Sequence, residues 1–118
     1  MKFSENVNLT DTTETELIEI PNGFSAHMTL VYASNSDSTE NTVTVVVEKD
    51  GYPTINVLGG KEVPANDYCM VESFSGFILQ PGDVVKASTG TAGNVDVLVT
   101  LELVYSPFDL NRFGAGGG

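Results

Sequence analysis

The side chains best suited to chemistry are those of a single histidine, His27, and a single cysteine, Cys69. A thiol and an imidazole can form a nucleophile–base pair when the fold brings them into contact. Neither residue lies in a catalytic motif, and both lie in stretches rich in β-type residues. We therefore interpret Cys69 as a small buried strand residue and His27 as a residue on the face of a sheet.

Carboxylates are the second group of candidates. Asp37 and Glu40, with the Asn and Ser residues around them, offer the oxygen ligands that calcium prefers, but their spacing does not follow an EF-hand loop. We interpret the segment Asn35–Asn41 as a solvent-facing polar loop. No spacing singles out a glycosidase-type pair among the sixteen acidic residues, and phosphate-loop, zinc and nucleophile-elbow motifs are missing. The sequence thus predicts no catalytic, cofactor or metal site and no enzyme activity.

Length and charge narrow the class of protein. The chain has 118 residues, which is typical of one domain. Its net charge of −11 argues against nucleic acid or an anionic membrane as the main partner, because phosphate groups are bound by clustered Lys and Arg. The sequence contains no secretory signal pattern and no apolar run of a membrane-spanning length. One cysteine excludes an intrachain disulfide, which fits synthesis in a reducing cytoplasm.

Short β-type segments separated by turn residues organise the middle of the chain. The clearest unit runs from Gly76 to Ser88, where Pro81 and Gly82 fit the two central positions of a type II turn between two strands. Such spacing without a helical pattern predicts an antiparallel β-sandwich, like a jelly roll, of seven to eight strands. The predicted strands are Leu17–Ile20, His27–Ser34, Thr42–Glu48, Thr54–Leu58, Tyr68–Glu72, Phe77–Leu79, Val84–Ser88 and Val95–Val104.

The two ends differ in composition from the middle. We predict an N-terminal arm over residues 1–16, a sandwich domain over 17–105 and a C-terminal arm over 106–118. The C-terminal segment carries large side chains followed by a glycine run. They either fold back on their own sandwich or anchor the arm on a neighbouring subunit. The predicted assembly residues are Phe108, Leu110, Arg112 and Phe113.

An ordered set of short motifs resembles small β-sandwich virion structural proteins of tailed bacteriophages, of the capsid decoration or cement type. A first strand closes on Pro-x-Gly, and a polar Asn-x-Asp-Ser-Thr loop leads into a Thr-Val-Thr-Val strand. A Val-Pro-Ala segment, a Pro-Gly-Asp turn and an Ala-Gly-x-Val strand follow. These motifs are Ile20–Gly23, Asn35–Glu40, Thr42–Val45, Val63–Ala65, Gly76–Val85 and Ala92–Glu102.

The resemblance implies a non-enzymatic virion component without cofactors, made in the host bacterial cytoplasm and located on the capsid surface. Its expected partners are the major capsid protein or other virion proteins and further copies of itself, as a homotrimer. Two alternatives stay open: a structural component of the neck or tail, and a host-glycan-binding attachment module. For the last, Tyr52 beside Pro53 is a candidate stacking residue, although the sequence has no Trp.

Overall fold

The computed structural model describes residues 1–49, 51–72 and 78–105. All regular structure in these ranges is β, as the sequence predicts. The strands are β1 (Lys2–Leu9), β2 (Thr15–Glu19), β3 (Phe24–Asn35), β4 (Asn41–Glu48), β5 (Ile55–Val63), β6 (Asp67–Glu72), β7 (Ile78–Leu79), β8 (Val84–Thr89) and β9 (Val95–Tyr105).

The strands form two antiparallel sheets. The first sheet has the order β1-β9-β3-β6, and β7 also pairs with β3. The second sheet has the order β2-β8-β4-β5. The two sheets together form a sandwich, which confirms the predicted fold class.

The pairing pattern is that of a jelly roll. Early strands pair with late ones in succession: β1 with β9, β2 with β8, β3 with β6 and β7, and β4 with β5. The resulting long hairpin is rolled up by two further pairings, β9 with β3 and β8 with β4. Two interlocked Greek keys of this kind are the jelly-roll topology.

The N-terminal segment differs from the predicted arm. Residues 2–9 pair along their whole length with β9, from Lys2 opposite Glu102 to Leu9 opposite Val95. Leu9 is buried in the core and Val7 packs against it. The segment is therefore an edge strand of the first sheet, and it supplies the ninth strand. Glu5, opposite Val99, interrupts the apolar alternation that identifies the other strands.

The core between the sheets is aliphatic. Its central members are valines of β4 and β9 that alternate with outward-facing residues. β-Branched side chains suit this position because they favour extended backbone and pack well on a pleated surface. The fully buried valines are Val31, Val43, Val45, Val47, Val63, Val85, Val95, Val97 and Val99.

The predicted turn after β7 is present. The N–H of Asp83 donates to the carbonyl of Gln80 at 3.0 Å, and Gly82 has φ of 90°, as the third position of a type II turn requires. The turn is also hydrogen-bonded to Ile20, in the segment between β2 and β3. The N–H of Gly82 donates to the carbonyl of Ile20 at 2.8 Å, and the N–H of Ile20 donates to the carbonyl of Asp83 at 2.9 Å.

Candidate interaction surface

The outer face of the second sheet is polar and charged. Lys86 on β8 lies 3.0 Å from a carboxylate oxygen of Glu48 and 3.9 Å from one of Glu14. The hydrogen bond to Glu48 raises the pKa of the Lys86 ammonium group. Thr44 on β4 and Ser88 on β8 stand opposite each other on the same face. This face has the composition of an ordinary solvated surface.

The outer face of the first sheet carries an apolar cluster. Leu98 of β9, Tyr32 of β3 and Met70 of β6 stand in one row across three neighbouring strands. Tyr68 and Leu30 occupy the adjacent rows on β6 and β3. We call Leu30, Tyr32, Tyr68, Met70 and Leu98 the aromatic patch.

A β-bulge creates part of this patch. Simple alternation predicts that Met28, Leu30 and Tyr32 share one face, but Thr29 is an extra residue in β3, between Met28 opposite Leu101 and Leu30 opposite Thr100. Met28 therefore points into the core, while Leu30 and Tyr32 lie on the outer face. The hydroxyl of Thr29 donates to the carbonyl of Thr100 at 3.2 Å. The shared-face prediction is thus wrong for Met28, because a bulge shifts the side-chain alternation by one residue.

The two tyrosines of the patch stack on each other. The ring centroids of Tyr32 and Tyr68 are 5.6 Å apart and their planes are inclined by 28°. Tyr68 is nevertheless 57% exposed and its neighbour Met70 is 50% exposed. Since β6 is an edge strand, the patch extends to the margin of the sheet.

Acidic residues flank the patch along the strands. Asp96 of β9 lies in the row of Tyr68, and Glu72 of β6 lies in the row of Leu30. Asp96 accepts a hydrogen bond from the amide of Asn8 at 2.8 Å. Among the described residues, the rows that contain the patch hold no Lys or Arg. The patch is therefore apolar in its middle and negative at its margin.

The loops at the Asn35 end of the sandwich form a tight polar network. The buried amide of Asn35 donates to the carbonyls of Thr39, Val63 and Pro64 at 2.9, 3.1 and 3.3 Å. Asn41 is buried too, and its side chain bonds both the N–H and the carbonyl of Thr91. The prediction of a wholly solvent-facing loop is therefore wrong at its two end residues, whose amides satisfy backbone groups that would otherwise be buried without partners.

The candidate chemical residues are not assembled into a reactive site. His27 stands on the outer face of the first sheet opposite Glu102, whereas Cys69 stands opposite the buried Ala33 on the inner face. The sheet therefore separates the thiol from the imidazole. In the described ranges, no three His, Cys, Asp or Glu side chains come together as a metal site would need. Nor do those ranges contain a helix able to cross a membrane.

An open cleft lies at the opposite end from Asn35. Its volume is about 510 Å³, and Tyr52 on its wall is 73% exposed. Lys49 and Pro81 also line it, so it lies between the β4–β5 hairpin and the turn before β8.

The predicted assembly residues lie outside the described residues. These are Phe108, Leu110, Arg112 and Phe113, all in the segment after Tyr105. The aromatic patch is not among the features that the sequence patterns predict. The available signal was the Tyr-Cys-Met run of β6, in which Tyr68 and Met70 share a face by alternation.

Comparison with solved structures shows a likeness in fold. No protein-family model and no curated protein sequence matches the chain. A solved structure titled "Acidic stable capsid structure of Helicobacter pylori bacteriophage KHP30" contains a similar chain, with a TM-score of 0.54 and 14% identity. The likeness covers 91% of this chain and 89% of that chain. It shows that the two chains share a fold over nearly their whole lengths.

Proposed function

We propose that this protein is a non-enzymatic structural component of a phage virion, and specifically a decoration (cement) protein on the outer head shell. The observation that carries the proposal is the likeness to a chain of a phage capsid structure. Because that likeness covers about nine-tenths of both chains, it relates two small proteins of similar length. This short length is what we expect of a decoration protein, which is a small domain added to an existing shell.

The surface of the described residues fits binding better than catalysis. His27 and Cys69 lie on opposite faces of one sheet, and the carboxylates do not converge on a metal site in those ranges. One sheet face carries an apolar patch that includes the exposed Tyr68 and Met70, and such patches mark protein interfaces. The proposed function is therefore to bind other proteins by burying surface at an interface.

The proposed assembly is a homotrimer whose C-terminal arm, residues 106–118, clamps neighbouring shell subunits through Phe108 and Phe113. Large apolar side chains at the centre of an interface contribute most of its binding energy. Deleting residues 106–118 is expected to abolish binding to heads without changing the unfolding midpoint of the remaining domain. Unimpaired binding of the truncated protein would remove the clamping role.

Two measurements test this proposal directly. Quantitative mass spectrometry of purified virions gives the number of copies per particle, and a binding assay measures how the purified protein binds to heads that lack it. Hundreds of copies per particle and saturable binding to the shell are expected. A copy number of about a dozen or fewer would favour the alternative location, the neck or tail. Absence from the virion would refute both locations.

A glycan-binding attachment module is the second candidate. The observation that favours it is the exposed ring of Tyr52 beside an open cleft, because sugars stack on exposed aromatic rings. Binding on a glycan array that disappears in Tyr52→Ala would support this candidate. An array without any binding would reject it.

A further inference from the structure

The two outer faces of the sandwich differ in a way that indicates which one is covered. Eight large hydrophobic side chains are markedly exposed among the described residues. Four of them stand on the outer face of the first sheet: Tyr68, Met70, Ile78 and Val104. The outer face of the second sheet presents Glu48, Lys86 and hydroxyl side chains instead, and Val46 on that face is only 5% exposed. Exposed apolar surface on one face of a small protein is typical of an interface.

The charge around the patch restricts what can cover it. Glu72 and Asp96 flank the patch on either side along the strands. Two copies stacked patch to patch would bring these carboxylates together, in a chain whose net charge is already −11. Like charges facing each other across an interface oppose association. A second copy of the chain is thus a poor occupant of this face.

We infer that the aromatic patch is the docking surface for a different protein, whose own surface is apolar and bordered by Lys or Arg side chains. Charge complementarity is the argument for this occupant: basic residues would face Glu72 and Asp96 while the apolar centre excludes water. The stacked pair Tyr32 and Tyr68 would be the anchor, because pre-ordered aromatic side chains lose little entropy on binding. This inference rests on the proposed function and names the shell protein as the partner.

The experiment compares two variants for binding to heads stripped of this protein. Tyr68→Ser with Met70→Ser removes the exposed part of the patch. Ile55→Ser is the control, because it removes an exposed apolar side chain from a different part of the surface. The patch variant is expected to bind at least tenfold more weakly, and the control is expected to bind like the unmodified protein. All of these side chains are exposed, so the unfolding midpoints should stay alike.

A second pair of variants tests the charge argument. Glu72→Lys reverses a charge beside the patch, and Glu62→Lys reverses an exposed charge on β5 of the other sheet. Glu72→Lys should weaken binding about tenfold and reduce its salt dependence, whereas Glu62→Lys should change neither.

The outcomes separate the inference from the proposed function. If the unmodified protein does not bind stripped heads, both are overturned. If it binds and the patch variant binds equally well, only the inference is overturned. Light scattering tests whether the patch instead joins two copies of this chain, by measuring the oligomer mass of the patch variant. A fall in that mass would mean that a second copy occupies the patch, which also overturns the inference.

Discussion

The carboxylate of Asp83, a residue only 4% exposed, accepts a hydrogen bond from the ammonium group of Lys49, 34 residues earlier in the chain. It also accepts one from the backbone N–H of Gln80 at 2.7 Å. The same ammonium group lies 3.4 Å from the carbonyl of Ile78. One ion pair thus ties the end of β4 to the turn between β7 and β8.

Breaking this pair should be costly, because the remaining partner keeps a charge that is shielded from water. Asp83→Ala is expected to lower the free energy of unfolding by about 3 kcal/mol. Lys49→Met should cost a similar amount, and the double variant should cost clearly less than the sum. Urea unfolding of the three variants measures this coupling. Additive losses would mean that the two charges do not interact.

Gly82 should tolerate substitution poorly, since its φ of 90° is unfavourable for a residue with a Cβ atom. Gly82→Ala is expected to cost about 1–2 kcal/mol of unfolding free energy. Gly59→Ala is the control, because Gly59 has no positive φ and an added Cβ would meet only ordinary contacts from 3.8 Å. Equal thermal midpoints for the two variants would contradict the backbone argument.

Residues 2–9 should behave as part of the folded domain. Leu9→Ala removes a buried core side chain and is expected to lower the free energy of unfolding by about 2–4 kcal/mol. Asn6→Ala, on the exposed outer face of the same strand, should stay within about 0.5 kcal/mol. Chemical denaturation followed by circular dichroism measures both. If Leu9→Ala were neutral, the segment would act as a separate arm.

The thiol of Cys69 should react slowly at neutral pH. Burial raises the pKa of this thiol from its ordinary value of 9.0, although the charge of Lys61 partly opposes the shift. Less thiolate is therefore present in the folded chain than in the unfolded chain at the same pH. Labelling with a disulfide reagent should be faster in urea, and the native rate should still be rising with pH above 9.0, where the rate of the unfolded chain levels off.

The same shift has a consequence for stability. The unfolded chain loses the thiol proton at a lower pH than the folded chain does, so stability should fall as the pH rises above the ordinary value of 9.0. Cys69→Ala removes this contribution, and its stability should decline less over that range. Identical pH profiles for the two proteins would show that the burial of the thiol has no thermodynamic effect.

Local patterns in the sequence predicted most of the fold. Period-two alternation identified the strands that contain Val43 and Val97, and turn chemistry identified the bend at Gly82. The alternation failed at Thr29, where an extra residue reverses the faces of the strand, and at Glu5, where a charge stands opposite Val99. Bulges and tolerated edge charges depend on partner strands, which a local pattern does not contain.

The surface site was harder to predict than the fold. The aromatic patch joins side chains from β3, β6 and β9, and their adjacency follows from the strand order. Tyr32 and Tyr68 are far apart in sequence, so nothing local to either residue indicates that their rings stack. Composition showed that the chain is acidic, whereas the strand order determined where its apolar surface lies.

The pairing of β1 with β9 also governs when the protein can fold during its synthesis. Residues 2–9 are made before the other described strands, and their partners at residues 95–102 are made after them. β1 therefore has no native partner until β9 has been made. Closing this long chain loop should slow the folding of the sandwich. β1 contains Glu5 and is polar at most of its other positions. An unpaired strand of this composition is therefore not expected to pair with another chain and aggregate before β9 is made.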